Sequence, residues 1–392
     1  MCCLLSAASG EPDSLVQSIV NSVTQESIRT TILRLQKFGT RYADTDSNYA
    51  AVLYARDRMV GYSCDSVKLD YFDSSYYQPS VIGIKRGKLY PDISYIICGH
   101  IDDMIDMVCS PVSDSAPGAD DNATGTSAVL EACRVFAGHW FNYTVRFVCF
   151  NAEEEGTVGS LAYAYWARAR GDSILGVLNL DMVGYGIGGQ DSVITVGSES
   201  NPNCSDLLQH WCSAANTYTS LKFRPFLCPP DSYSGSDHYQ FWLEGYRALF
   251  VEEAQRTPEM HSPGDTIGPF GYDSCGVNNL PLCTEAAKAA VATLALLAQV
   301  DGVPGVQETT NNVRRTSARC PSVVRCVLLL PNATSRKPQA AGLLDISGRK
   351  VLDLKPGAND VRALAPGVYF VREEPQAASL KPQAVRKVVV AR

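Results

Sequence analysis

Ile-Ile-Cys-Gly-His-Ile-Asp-Asp, residues 96–103, carries an apolar run into a histidine and then two aspartates. The segment 93–99 reads as a buried β-strand, short, apolar and closed by polar residues. Working outward, the same pattern recurs at 66–72, 80–85, 144–150, 175–181, 193–196 and 247–252. Between most of these runs the apolar positions take helical spacing, at 124–138, 157–170, 203–217, 236–244 and 280–299, and ahead of them at 13–38 and 47–61. Strands alternating with helices predict an α/β fold with a mostly parallel central sheet flanked by helices. In such sheets the ligand crevice lies beyond the carboxyl ends of the strands. His100, Glu153, Glu154 and Asp181 each stand at or just past such an end.

The 392 residues are too many for one ordinary core, and charge divides them. Residues 302–392 hold 15 Lys and Arg against 6 Asp and Glu, whereas the front holds 19 against 35. That asymmetry marks two units, and an acidic main body argues against nucleic acid as a partner. The predicted division is 1–301, a linker at 302–318 where periodicity gives way to turn and polar residues, and 319–392. In the last segment short β-type runs at 323–330, 342–346, 350–354, 367–372 and 385–390 predict a small all-β sandwich.

The 14 cysteines include no C-x-x-C pair, which disfavours a zinc ribbon or a thioredoxin-type site. Cys98, Cys133 and Cys149 lie in apolar runs and read as small buried residues. Cys275 with Cys283, or Cys320 with Cys326, are candidate pairs for an exported chain. The opening Met-Cys-Cys-Leu-Leu-Ser-Ala-Ala-Ser-Gly has no basic start and too short an apolar stretch for a complete signal peptide. No apolar run is expected to reach membrane-spanning length.

The polar residues at the strand ends form a chemical set. His100, the pair Asp120 and Asp121 in a Gly-rich loop, Glu153 and Glu154, Asp181, and His261 supply two imidazoles and at least three carboxylates, the ligand types of a two-metal hydrolase. Such a centre needs a carboxylate shared by both ions, which either Asp120 or Asp121 offers. It also needs a free carboxylate to accept a proton, and adjacent Glu153 and Glu154 diverge so that one holds metal while the other faces the water. Asp102, two residues past His100, can orient it. Each piece alone has an ordinary reading: a helix N-cap at Asp121 or Asn122, an acidic first helical turn at 153–155, a strand-end turn at Asp181. His139 and His210 are assigned no chemical role.

His100-x-Asp102, Pro117-Gly-Ala-Asp-Asp-Asn-Ala-Thr-Gly125, Glu153-Glu-x-Gly-x-x-Gly-Ser160, Leu180-Asp-Met, Ser236-Asp-His and His261-x-x-x-Asp-Thr266 stand in this order. They resemble the motifs of the co-catalytic zinc exopeptidases, the family of secreted bacterial leucyl aminopeptidase and glutamate carboxypeptidase II. The resemblance covers roughly residues 25–300, including Gly39-Thr-Arg-Tyr42. It implies two Zn2+ per chain, one bound by His100 and Asp181, the other by Glu154 and His261, with Asp121 bridging. It further implies that a metal-bridging hydroxide attacks the peptide, with Glu153 as general base, Asp102 beside His100, and Tyr233 hydrogen-bonding the tetrahedral intermediate. Only Cys228 stands where that branch carries a local disulfide pair. The implied substrate is a peptide with a free N-terminus, with Glu252 or Glu253 near its amino group. Alternatives are a carboxypeptidase of the same fold, a one-zinc glutaminyl cyclase, and a non-catalytic binding protein. The 21-residue step from His100 to Asp121 looks more like the aminopeptidase branch.

The tail has its own resemblance. Leu343-Leu-Asp-Ile-Ser-Gly-Arg-Lys-Val351, Leu364-Ala-Pro-Gly-Val-Tyr-Phe370 and the terminal 385–392 are similar to the sorting domain of type IX secretion cargo and the related flagellar hook-cap immunoglobulin-like domain. That resemblance implies a secretion machinery as partner and a secreted or cell-surface location.

Overall fold

The computed structural model describes residues 12–72, 76–105, 116–187, 191–269 and 274–301. Further along it describes 322–324, 327–330, 341–344, 349–355, 357–360, 363–365, 367–373 and 385–390. The opening residues 1–10, the expected linker 302–318, Cys320 and Cys326 lie outside the described residues. The chain divides into two compact units, Met1–Val306 and Gln307–Arg392.

The first unit is built on strands β1 (Ser66–Asp70), β2 (Ser80–Lys85), β3 (Tyr90–His100), β4 (Tyr143–Phe150), β5 (Ser173–Leu180), β6 (Val193–Ser198), β7 (Phe223–Cys228) and β8 (Ala248–Glu253). They form one sheet in the order β1-β2-β4-β3-β5-β8-β6-β7. Its centre, β4-β3-β5-β8, is parallel throughout, while β1 and β2 on one side and the β6–β8 pairing on the other are antiparallel. The carboxyl ends of four adjacent strands therefore open on one edge, in register: His100 faces Phe150, and Leu180 faces Val251.

The run 13–38 of helical spacing forms two helices, α1 (Ser14–Asn21) and α2 (Gln25–Gln36). Thr24 breaks it by acting as N-cap, its hydroxyl accepting the Ser27 N–H. Helices α3 (Asp46–Gly61), α4 (Ala123–Phe136), α5 (Val158–Arg170), α6 (Ser205–Tyr218), α7 (His238–Leu243) and α8 (Leu280–Leu297) complete the unit. α1, α2 and α8 pack around α4, α6 packs on α8, and α5 packs on α7. All but one residue of α4 is buried. The close fit is made by Gly125, where an added Cβ would lie 2.1 Å from the Leu180 carbonyl oxygen.

Three expectations are corrected. α8, at 18 residues, is long and apolar enough to cross a membrane by length and composition, yet twelve of its residues are buried inside this unit, as in a core helix. Cys275 and Cys283 are both buried and are not bonded to each other, so that candidate pair is not formed. The strand β7 had no counterpart among the expected ones, because Pro225 and Arg224 interrupt its apolar pattern; its place at the sheet edge tolerates a residue without an N–H.

In the second unit all elements among the described residues are strands: β9 (Ser322–Val324), β10 (Val327–Leu330), β11 (Ala341–Leu344), β12 (Lys350–Leu354), β13 (Gly357–Asp360), β14 (Gly367–Glu373) and β15 (Val385–Val390). They form a five-stranded sheet, β12-β11-β14-β15-β9, and the pair β10-β13. Leu343, Leu354 and Tyr369 are buried in it.

Candidate metal centre

His100 ends β3 fully buried, its Nε2 directed at carboxylates from three other segments. Asp181, one residue past β5, places Oδ1 at 3.2 Å from that nitrogen; Asp121, in the loop before α4, places Oδ1 at 3.3 Å. The other oxygen of Asp121 lies 3.1 Å from His261 Nε2, and Glu154 Oε2 approaches the same nitrogen at 3.1 Å. Asp121 thus spans two clusters with one carboxylate. Among the described residues three groups have their ligand atoms within 4.8 Å of one another: His100, Asp121 and Asp181; Asp121, Glu154 and His261; and His100, Glu153 and Glu154. Glu153 is absent from the two groups that share Asp121 and enters only the third; its Oε2 stands 3.9 Å from His100 Nε2.

The backbone at these positions is specialised. Ala152 before Glu153, Met182 after Asp181, and His261 itself have φ of 56°, 56° and 55°, in the left-handed region that non-glycine residues avoid. The turn at 151–157 is held by Asn151, whose side chain donates to Asn48 Oδ1 and the Gln78 carbonyl and accepts from Asn48 and Ala152. Glu153–Glu155 precede α5 rather than forming its first turn, and the cap before α4 is Asn122, which accepts the Gly125 N–H at 2.7 Å. Asp121 is left free of capping work.

Several residues that the sequence left without a role position the cluster. Asp265 accepts the N–H groups of Asp120 and Asp121 at 2.8 and 3.0 Å. Arg41, buried, donates to the carbonyls of Ile101, Pro117 and Gly118 and pairs with Asp103 at 2.9 Å. Gly118 has φ of 49°, and a Cβ there would meet Asp103 and the Asp121 carbonyl at 2.6 Å. Ser236 donates to Asp181 Oδ2 at 2.6 Å and accepts from Asn179, which fixes the outer oxygen of that carboxylate. The Ser-Asp-His and His-x-x-x-Asp-Thr patterns contain Ser236 and Asp265, so the sequence carries a signal for both.

Asp102 accepts the Glu154 N–H at 3.1 Å, and its Oδ1 lies 3.6 Å from His100 Nδ1, so it touches both clusters from behind. Asp120 accepts the Gly184 N–H at 2.9 Å instead of facing His100 or His261, which leaves bridging to Asp121. Tyr233 packs against Phe226 and Phe250 and lines a cavity with Glu252 and Arg256; among the described residues it makes no hydrogen bond to the ligand cluster. Glu252 and Glu253 both line the cavity, and the carboxylate of Glu253 accepts the N–H groups of Tyr185 and Thr257. His238 stacks on Phe250 and is held well below the usual imidazole range, at about 3, by burial.

The electrostatics call for added positive charge. None of the ion pairs of Asp121, Glu153, Glu154 or Asp181 among the described residues involves Lys or Arg. Burial pushes Glu153 well above the usual carboxylate range and, with repulsion from Asp121, lifts Glu154 to about 8. Burial works against charge on His261, yet its bonds to Asp121 and Glu154 raise it to about 11. Glu154 Oε1 and Asp102 Oδ1 are buried without hydrogen-bond partners. Uncompensated buried carboxylates are costly, and a divalent cation offsets that cost directly. Mixed imidazole and carboxylate donors are a set that zinc accepts, so the residues fit the metal.

Comparison with known proteins identifies the family. The family model described as Peptidase family M28 matches residues 80–279. A probable leucine aminopeptidase of Arthroderma otae is 28% identical over 263 residues, covering 64% of this chain and 70% of the relative. A probable zinc metalloprotease of Leptosphaeria maculans is 25% identical over 339 residues, covering 75% and 78%. Among solved structures, the LapA aminopeptidase of Legionella pneumophila superposes with a TM-score of 0.61 at 22% identity, covering 75% of this chain and 78% of that one, a likeness of fold. With the matched segment running from β2 through the loop that carries His261 and Asp265 to the residue before α8, the chain belongs to peptidase family M28.

Proposed function

We propose that the chain is a two-zinc aminopeptidase that removes N-terminal residues from peptides. The observation that carries this reading is the pair of three-residue clusters sharing Asp121, with Glu153 outside both and next to His100. His100 and Asp181 would hold one ion, Glu154 and His261 the other, and Asp121 both. Bound zinc supplies Lewis acidity, which polarises the scissile carbonyl and acidifies the attacking water. Glu153 takes that water's proton and returns it to the leaving amine. Asp102 and Ser236 fix the ligands, so that little reorganisation accompanies the reaction. Tyr233, beside the pocket, is the proposed donor to the tetrahedral oxyanion.

Two complete clusters favour this reading over a one-zinc glutaminyl cyclase, and the relatives named aminopeptidase favour it over a carboxypeptidase. The test is to incubate zinc-loaded protein with free-amine and N-blocked peptides. Cleavage of the free-amine set alone is expected; cleavage of blocked peptides from their carboxyl end overturns the assignment.

We also propose that residues 307–392 serve export or surface attachment. The basic excess of this segment and its sorting-domain motifs support that role. Fractionation of cells producing the full chain or residues 1–306 tests it: only the full chain is expected at the surface or outside.

A further inference from the structure

We infer that the cavity beside the ligand cluster receives the side chain of the substrate's first residue and selects an acidic one, aspartate or glutamate, over an aliphatic one. This rests on the aminopeptidase reading. The cavity has a volume of about 470 Å3, with Ile194, Arg224, Phe226, Tyr233, Glu252 and Arg256 in its lining. Its position follows from the sheet. β8 runs beside β5, Val251 pairs with Leu180, and the Asp181 N–H donates to the Val251 carbonyl at 3.1 Å. Glu252 is therefore the next residue along the strand that flanks Asp181, and the cavity wall begins beside a ligand of the centre.

The chemistry of the lining is unlike that of a pocket for leucine. It brings two guanidinium groups against the buried carboxylate of Glu252, while Glu253, also in the lining, is occupied by the N–H groups of Tyr185 and Thr257. Arg256 is paired with Glu252, and Arg224 makes no hydrogen bond or ion pair among the described residues. Burial also pushes Glu252 up to about 7, which weakens its opposing charge. A free guanidinium next to a compensated pair fits a carboxylate, which it can hold through two parallel hydrogen bonds. Phe226 and Ile194 supply apolar contact for the methylenes that carry that carboxylate. An aliphatic side chain would exclude water from Arg224 and the Glu252–Arg256 pair without replacing the lost hydrogen bonds. A lysine side chain would meet Arg224 as a like charge.

The experiment is a panel of aminoacyl p-nitroanilides bearing Glu, Asp, Leu or Lys, with the zinc-loaded full chain and its Arg224→Gln and Arg224→Glu variants. Arg224 is exposed on the edge strand β7, so neither substitution disturbs the core. Wild type is expected to show kcat/KM for Glu or Asp at least about tenfold above Leu. Arg224→Gln should lower the Glu-to-Leu ratio by about tenfold or more, and Arg224→Glu should raise Lys above Glu. Leu cleaved faster than both acidic substrates by wild type, or a ratio unmoved by Arg224→Gln, overturns the inference while leaving the aminopeptidase reading standing. Cleavage of none of the four, with N-blocked peptides cleaved, overturns that reading and this inference together.

Discussion

The carboxylate of Asp265 accepts the backbone N–H of Asp121 at 3.0 Å, a bond across 144 residues of chain. Its other oxygen takes the Asp120 N–H, so a single side chain sets the path of the loop that presents the carboxylate shared by both clusters. Replacing Asp265 with Asn keeps the volume but removes one acceptor. Asp265→Asn is expected to weaken zinc binding by about 10- to 100-fold, as loss of ligand-orienting groups does. Competition with a chromogenic chelator measures it, and affinity equal to wild type refutes the positioning role.

Arg41 supports the same loop through the carbonyls of Pro117 and Gly118. Its guanidinium is shared among three carbonyls and Asp103, with no solvent to replace them. Arg41→Met leaves Asp103 buried without its counter-charge, and a loss of about 3–5 kcal/mol is expected. Urea unfolding of zinc-free protein reads this apart from any change in metal affinity.

Zinc removal should destabilise the protein by mass action. At a free concentration about 100-fold above Kd, zinc stabilises the folded state by about 2.7 kcal/mol. Chelation is therefore expected to lower the melting temperature of wild type and to have a smaller effect on His261→Ala. Equal shifts in both would mean that His261 binds no metal.

Acid stability has a separate source at Asp172, which meets Arg146 at 3.2 Å and Arg170 at 3.1 Å. Partial burial works against its charge, but the bonds from Arg170 and Arg146 outweigh it and hold the carboxyl below its usual range. A depressed folded pKa contributes stability that is present above the ordinary carboxylate value near about 4 and is lost as pH falls through the folded value. Solvent screening limits the effect to less than about 1 kcal/mol. Asp172→Asn should lower the melting temperature slightly at pH 7, and the difference should vanish in strong acid. A difference that persists unchanged at pH 2–3 would show that the ion pair is not its cause.

The alternation of strands and helices was legible because each strand is a short buried run followed by a polar residue, and the parallel centre of the sheet brings those polar residues to one edge. His100, Glu154 and Asp181 meet for that reason, and Asp121 and His261 join them from the loops before α4 and after β8. Arg41, Asp103 and Asp265 were less legible, since their work is done on backbone groups that approach only in the folded chain. The break at Thr24 was hidden because apolar spacing continues through it, and β7 because a proline at a sheet edge looks like a strand-breaker. The residues alone left Asp120 and Asp121 open as the shared carboxylate and the family resemblance implied Asp121; in the fold Asp120 turns to Gly184.

The central claim is that Glu153 moves the proton while five other residues hold two ions. The most direct measurement is zinc content together with peptide hydrolysis for Glu153→Gln. Two zinc ions per chain, with kcat reduced by about 10²- to 10⁴-fold, is the expected result. Activity within a few-fold of wild type, or a single ion in both proteins, would contradict the account.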